Sequence, residues 1–200
     1  MNRVACGDSV VTATERRRYN KTFMETREEI ITYWLCPAEP VRSRFAEIIN
    51  DLAARFDAPV FEPHVTIYVT NAENEKPAKV LPTLLSGRQP YRLCVLDLSY
   101  SEKFTQTLFV RFAPDADLAR LTEDLRNASV SQSDYELNPH LSLLYKTLDP
   151  QTKRELADSI RLPFAEATFD TVKAVLSPAR VESREDVESW RIVAEEKLTR

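Results

Sequence analysis

The feature that most constrains the fold is a short pattern that occurs twice and contains both histidines of the 200-residue chain. It reads F-E-P-H-V-T-I at residues 61–67 and L-N-P-H-L-S-L at residues 137–143. Because successive side chains of a β-strand point to opposite faces, each histidine shares a face with the hydroxyl residue two positions later. The repeat therefore predicts two related strands that present paired imidazoles and hydroxyls to one cleft. These pairs are His64 with Thr66, and His140 with Ser142.

Hydrophobic periodicity predicts strands and helices that alternate along the chain. Residues 30–36 and 64–70 are β-branched and aromatic runs typical of strands, and apolar residues recur at helical spacing from Val41 to Phe56. Further strands are predicted over 91–100 and 105–112, as an antiparallel pair. Antiparallel strands mixed with helices indicate an α+β fold. The repeat then suggests two sheets that face each other, each presenting one pattern to the shared cleft.

Residues 1–28 lack clean periodicity and contain three consecutive arginines, which predicts a flexible N-terminal extension before one domain over 29–200. The three cysteines form no CxxC pair, which argues against a disulfide framework or a zinc site. Cys36 and Cys94 lie in apolar runs and are expected to be buried and reduced. No run is long and apolar enough for a membrane span or a signal peptide, so a cytoplasmic protein without a membrane partner is expected.

Composition narrows the class of ligand. Two glycines cannot build a glycine-rich phosphate loop, so any phosphate chemistry must come from side chains. The net charge of −4 argues against a protein that grips long nucleic acid through many phosphates. A small nucleotide needs no extended basic face. We therefore expect a small-molecule ligand and a monomeric protein.

The paired pattern suits acid–base cleavage of a phosphoester. One neutral histidine could take a proton from water while the other, protonated, supplies a proton to the leaving alkoxide. The two hydroxyls could hold the non-bridging oxygens of the phosphate. A single histidine on a strand is more often structural, but both histidines of the chain occupy the same frame. Two histidines flanked by hydroxyl and apolar residues are a poor set of metal ligands, so neither a metal nor a cofactor is expected.

These motifs and their flanks resemble the two-histidine (2H) phosphoesterase superfamily, and most closely its plant- and yeast-type cyclic phosphodiesterases. The resemblance includes the spacing of 76 residues between His64 and His140 (140 − 64 = 76), the helix before the first motif, and "NPHLSLLY" at the second. It extends over about residues 30 to 198, from "YWLCP" to "ESWRIVAEEKL". It implies a bilobal α+β fold and opening of cyclic phosphates without a metal. The family's substrates are ADP-ribose 1″,2″-cyclic phosphate, formed in tRNA splicing, and nucleoside 2′,3′-cyclic phosphates.

By position, the resemblance makes His64 and His140 catalytic and assigns phosphate contacts to Thr66, Ser142 and Tyr145. Strict alternation along the strand instead turns Tyr145 away from His140, unless the strand ends or twists first. Candidates for contact with the base or ribose are Trp34, Phe104 and Tyr68. Trp190 is expected in the core.

Two other functions remain open from the sequence. RNA end-processing or 2′–5′ RNA ligation occurs within the same superfamily, but it calls for a basic groove that the acidic balance does not favour. A non-catalytic nucleotide-binding module is the second alternative. The sequence does not say which histidine is the acid.

Overall fold

The computed structural model describes residues 28–199, which form seven strands and five helices. The strands are β1 (Glu29–Pro37), β2 (Val65–Asn71), β3 (Tyr91–Tyr100), β4 (Leu108–Phe112), β5 (His140–Leu144), β6 (Glu166–Pro178) and β7 (Arg191–Lys197). The helices are α1 (Val41–Phe56), α2 (Pro77–Leu85), α3 (Ala116–Ala128), α4 (Pro150–Ser159) and α5 (Arg184–Glu188), with a 3₁₀ turn at Phe104–Gln106. Apart from residue 28, the predicted N-terminal extension lies outside the described residues.

All seven strands belong to one antiparallel sheet, in the order β1-β2-β5-β4-β3-β6-β7. Since β1 also pairs with β6, the first six strands of this order form a closed circuit of hydrogen-bonded neighbours. The predicted α+β class with antiparallel strands and flanking helices is confirmed. One detail is corrected, because the two expected sheets are joined into one.

The long strand β6 is the physical reason for this continuity. The runs "AEATFD" and "TVKAVLS" each have the composition of a short strand, but together they form most of one strand of 13 residues. Its first residues pair with β3, and the remainder pairs with β1 and β7. It therefore connects a first half of the sheet (β1, β2, β6 and β7) to a second half (β3, β4 and β5).

Helix α1 follows the predicted apolar spacing and buries Phe45, Ile49 and Leu52. It packs against β1 and, across the boundary between the halves, against β5. The helix ends at Phe56 because Asp57 adopts a left-handed conformation with φ of 49° and its amide bonds back to the Ala53 carbonyl. This turn starts the loop that leads to the first histidine.

Helix α3 packs against β2 in the same crossed manner. The Asp115 side chain accepts a hydrogen bond from the Leu118 amide and so caps its first turn. Further along, the Thr122 hydroxyl donates to the Ile67 carbonyl of β2 at 3.0 Å. Helices from both parts of the chain thus support the strands that carry the repeated pattern.

Two further details differ from the sequence predictions. Cys36 is buried as expected, but Cys94 is exposed, because Leu93 takes the inward position of β3 and leaves its neighbour outside. Helix α5 was not predicted, and it is held by a capping box between Ser183 and Asp186. Of the helices formed by residues 28–199, none has the length and apolar content that crossing a membrane requires.

Candidate active site

The two repeated patterns lie side by side on adjacent strands. The only register pair between β2 and β5 is Val65 opposite Leu141, which are the residues that follow the two histidines. In an antiparallel pair, this register sets position 64 opposite 142 and position 66 opposite 140. Val65 and Leu141 are fully buried on the core face. The alternate face therefore carries all four residues of the pattern, with each imidazole beside the hydroxyl of the other motif.

Each motif strand contains a β-bulge directly after its hydroxyl residue. Trp34 and Tyr33 of β1 pair with Thr66 and Tyr68, which leaves Ile67 as the extra residue of β2. On the other side, Phe109 and Leu108 of β4 pair with Ser142 and Leu144, which leaves Leu143 as the extra residue of β5. A bulge shifts the alternation of side chains by one position. Both strands therefore reverse their facing after the H-x-[T/S] segment.

This reversal decides where two tyrosines point. Tyr145 returns to the face of Ser142, and strand β5 ends just before it at Leu144. Its ring stacks on Phe61, the first residue of the repeated pattern at 61–67, with centroids 4.0 Å apart. Strict alternation placed Tyr145 on the opposite face, and the bulge corrects that expectation.

Tyr68 requires the opposite correction. Regular alternation placed it beside Thr66 as a possible contact for base or ribose, but the bulge at Ile67 turns it into the core. It is fully buried there, stacked with Tyr33, and its hydroxyl accepts a hydrogen bond from the Ser133 amide at 3.0 Å. Tyr68 cannot contact a ligand in the cleft.

Each imidazole is held by a hydrogen bond to the backbone carbonyl two residues before it. His64 Nδ1 lies 2.6 Å from the Glu62 carbonyl oxygen, and His140 Nδ1 lies 2.7 Å from the Asn138 carbonyl oxygen. A carbonyl only accepts, so each Nδ1 carries the proton and each neutral ring keeps its lone pair on Nε2. The proline between carbonyl and histidine restricts the backbone at this point. The shared sequence x-Pro-His thus fixes the same tautomer twice.

His64 lies in an aromatic cluster. The Trp34 ring stacks on the imidazole with centroids 3.8 Å apart and planes 10° apart, and Trp190 meets it edge-on at 6.0 Å. Only 7% of His64 and 4% of Trp34 is exposed. This packing covers most of the Trp34 surface and leaves little of the ring accessible to a nucleotide base. The contact of Trp34 with a base stays a prediction. Trp190, expected in the core, lies partly buried at the edge of this cluster.

His140 is more open and has polar neighbours. Its Nε2 lies 3.1 Å from the Gln106 amide nitrogen, which can donate to the neutral ring. The Ser142 hydroxyl donates to the Thr105 carbonyl at 2.7 Å, so the turn at 104–106 forms one wall of the site. Phe104 in this turn is half-buried, 6.1 Å from Tyr145. A role for Phe104 in binding a base or ribose stays a prediction.

Burial shifts the pKa of both histidines downward. It lowers the pKa of His64 from 6.5 to about 4, although the hydrogen bond to Glu62 opposes this change and the charge of His140 adds to it. Burial also lowers the pKa of His140, against the effect of the Asn138 carbonyl and with that of Lys103. Without an anion both rings are neutral at neutral pH. An anion bound between them would favour protonation, first at the more exposed His140.

Sequence reasoning did not assign Gln106, Phe61 or Phe109 to the site. Phe109 meets His140 edge-on at 5.4 Å, and it lies on β4, far from the motif in sequence. Phe61 belongs to the repeated frame itself, three positions before His64, so the repeat could have identified it. In residues 28–199 no group of three or more His, Cys, Asp or Glu side chains is placed to hold a metal ion. The site has paired imidazoles able to exchange protons, with hydroxyl groups beside them.

Comparisons with known proteins agree with this fold. A family model described as "Cyclic phosphodiesterase-like protein" matches residues 30–198. The cyclic phosphodiesterase of Arabidopsis thaliana is 26% identical over 176 residues, which cover 85% of this chain and 96% of that protein. LigT of E. coli has the same fold. Its complex with 3′-AMP gives a TM-score of 0.52 at 16% identity, covering 86% of this chain and 99% of LigT.

A second LigT structure, the complex with ATP, gives a TM-score of 0.51 at 13% identity and covers 88% of this chain and all of LigT. These structures support the fold, whereas the family match extends across nearly all of the described sequence. The chain therefore belongs to the cyclic phosphodiesterase-like family and is a phosphoesterase enzyme.

Proposed function

We propose that this enzyme hydrolyses cyclic phosphates of small nucleotides to phosphomonoesters, with His64 and His140 as the acid–base pair. The candidate substrates are nucleoside 2′,3′-cyclic phosphates and ADP-ribose 1″,2″-cyclic phosphate. The observation that carries this proposal is the pairing of Val65 with Leu141, which sets two imidazoles and two hydroxyls on one face. A cyclic phosphate has two non-bridging oxygens, which the two hydroxyl groups could bind. It also has one departing ester oxygen, which a protonated imidazole could protonate.

In the proposed reaction, His64 is the base. Its pKa of about 4 keeps it neutral, and its Nε2 takes a proton from water as the water oxygen bonds to phosphorus. The bond from phosphorus to one ribose oxygen breaks, and protonated His140 gives its Nε2 proton to that oxygen. The Gln106 amide can turn its oxygen toward the protonated ring. Each proton is accounted for, and the product is a phosphomonoester.

Hydroxyl groups would stabilise the charge that grows on the non-bridging oxygens. Within the described residues the Thr66 hydroxyl has no hydrogen-bond partner, so it can donate to a phosphate oxygen without breaking another bond. Ser142 would exchange its bond with the Thr105 carbonyl for one to the ligand. Tyr145 adjoins Ser142, which partly offsets the effect of burial in raising the pKa of Tyr145. A neutral phenol is a donor and suits the same role.

A nucleotide ligand is supported by the structural relatives. LigT of E. coli forms complexes with 3′-AMP and with ATP. We propose a small nucleotide for this chain too, in agreement with its negative net charge. An intracellular role in RNA metabolism, such as removal of a by-product of tRNA splicing, would use the same chemistry.

The test is turnover of both cyclic phosphates by EDTA-treated protein, with the products resolved by phosphorus NMR. We expect opening to one phosphomonoester, and losses of about 10²–10⁴ in kcat for His64→Gln and for His140→Gln. Folding of each variant is checked by circular dichroism. Wild-type rates in both variants would contradict the mechanism. A much faster reaction on RNA with a cyclic phosphate end would instead identify an RNA end-processing enzyme.

A further inference from the structure

A largely buried lysine forms an ion pair with Glu62, the residue whose carbonyl binds His64. Lys173 of β6 pairs in register with Trp34 of β1 on one side and with Glu195 of β7 on the other. Its side chain is only 9% exposed, and its ammonium contacts both Glu62 carboxylate oxygens, at 2.8 and 2.9 Å. Glu195 adds a third contact at 3.2 Å. The lysine is therefore the cross-strand neighbour of Trp34, whose ring stacks on His64, and its charge is paired mainly with Glu62.

Glu62 connects this ion pair to the imidazole. Its carboxylate binds Lys173, and its backbone carbonyl accepts the hydrogen bond from His64 Nδ1. One residue therefore joins the lysine to the nitrogen whose proton defines the tautomer. Pro63, between them, restricts the backbone of Glu62 and has a fixed φ of its own. Fixing the Glu62 side chain therefore limits the ways in which its carbonyl can turn.

The second motif has no such ion pair. Asn138 supplies the equivalent carbonyl to His140, but its side chain is exposed and has no hydrogen bond within the described residues. Burying a lysine costs free energy unless it is paired, and an ion pair seldom stabilises a fold more than apolar residues of similar volume. The pair is thus better explained by its connection to His64 than by stability.

We propose that Lys173 is a positioning residue for His64, acting through Glu62 to hold the carbonyl that fixes the imidazole tautomer. The proposal rests on the proposed function for its kinetic consequence, because only a catalytic His64 makes the orientation of Nε2 matter. Lys173 touches no reacting atom in this scheme. Loss of the ammonium would let the Glu62 carbonyl turn away from His64 Nδ1, and the neutral ring would then populate both tautomers.

The test is Lys173→Met, with Lys173→Arg as the variant that keeps the cation. We expect Lys173→Met to lower kcat by about tenfold with little change in KM, because a misplaced base weakens transition-state stabilisation but not ground-state binding. Lys173→Arg should recover most of the rate. With only two histidines in the chain, imidazole nitrogen NMR reports each ring separately. His64 should change from one tautomer to a mixture in Lys173→Met, while His140 stays unchanged.

Two further variants separate positioning from other effects. Lys153→Met removes another buried lysine, which binds Glu102 at 2.6 Å, and should leave the His64 tautomer as in the wild type. The double variant Glu62→Gln with Lys173→Met removes both charges and should stay slow. Recovery of wild-type kcat in the double variant would overturn the proposal, because the lysine would then only screen the carboxylate charge.

An unchanged kcat and tautomer in Lys173→Met would also overturn it. If the wild-type protein opens no cyclic phosphate, the proposed function fails, but the NMR comparison still decides whether Lys173 orients His64.

Discussion

His64 and His140 occupy equivalent places in the repeated pattern, yet their surroundings differ. Both imidazoles bond through Nδ1 to the carbonyl two residues earlier, so the local sequence gives them the same tautomer. Beyond that bond, His64 packs between tryptophans, whereas His140 contacts the Gln106 amide. The first environment favours a neutral ring, and the second can accommodate a charged one. The tertiary surroundings thus suit two alike residues to the different roles proposed for them, His64 as base and His140 as acid.

This division predicts an acidic pH optimum. The base His64 must be neutral, so kcat/KM should rise as pH increases through its pKa of about 4. The acid His140 must be protonated, and burial lowers its pKa from 6.5, so kcat/KM should fall on the alkaline side below that value. The profile for a 2′,3′-cyclic nucleotide should be a bell whose maximum lies between the two pKa values, above about pH 4 and below 6.5. A flat profile between pH 5 and 8 would contradict the assignment.

The same pKa of His64 predicts a contribution to stability. As pH falls below 6.5 the unfolded chain takes up a proton at His64, but the folded protein does not until about pH 4. Stability should therefore fall by about 2–3 kcal/mol between pH 7 and 4.5 from this residue alone. Urea unfolding at both pH values measures it. Between these pH values the free energy of unfolding of His64→Gln should fall by correspondingly less than that of the wild type. An equal fall in both proteins would show that His64 titrates normally in the fold.

At the scale of elements, the bulges in β2 and β5 decide which side chains reach the cleft. Each follows the hydroxyl residue of its motif, so each strand presents its histidine and hydroxyl on one face and then reverses. The Thr122 hydroxyl of α3 binds the carbonyl of the bulged Ile67 and so supports the first reversal. The two bulges have opposite consequences for the nearby tyrosines.

Replacing each tyrosine by phenylalanine, which removes its hydroxyl, should distinguish the tyrosine that faces the site from the one that faces the core. Tyr145→Phe should lower kcat by about 10²-fold if the phenol donates to the phosphate in the transition state, with stability nearly unchanged. Tyr68→Phe loses the acceptor for the Ser133 amide, and should cost about 1 kcal/mol of stability while kcat is kept. Steady-state kinetics and thermal unfolding of both variants check this. A larger catalytic loss in Tyr68→Phe than in Tyr145→Phe would contradict the assigned facings.

At the scale of the whole molecule, the two halves of the sheet are joined by strand pairing and by helices that pack across their boundary. Strand β6 pairs with β3 at its start and with β1 beyond it, and helices α1 and α3 pack across the boundary onto β5 and β2. The Phe61 ring stacks on Tyr145 from the other half. A site built at such a junction keeps its geometry only if both halves are folded.

We therefore expect the two halves to unfold together. Phe112 of β4 is buried and meets Phe169 of β6 edge-on, while both tryptophans lie outside the second half. Phe112→Ala should lower the free energy of unfolding by about 3–5 kcal/mol. The loss should be equal by tryptophan fluorescence and by far-ultraviolet circular dichroism, because the transition is shared. A tryptophan transition at the wild-type urea concentration would show that the first half folds independently.

Local sequence determined much of this protein. Periodicity predicted helix α1 and most strands, and x-Pro-His-φ-[S/T] contained the carbonyl, the tautomer and the shared face of each pair. These features depend on residues within a few positions, where backbone geometry leaves few alternatives. The predicted roles of His64, Thr66, His140 and Ser142 follow from that pattern.

Tertiary structure alone decided the rest. The bulges at Ile67 and Leu143 arise from pairing with β1 and β4, so the strand sequence could not reveal that Tyr145 faces the cleft and Tyr68 the core. The contacts of Gln106 and of Lys173 join residues distant along the chain. The same is true of the continuity of the sheet. Alternation is a property of one strand, but register and burial depend on its neighbours, which only the folded chain brings together.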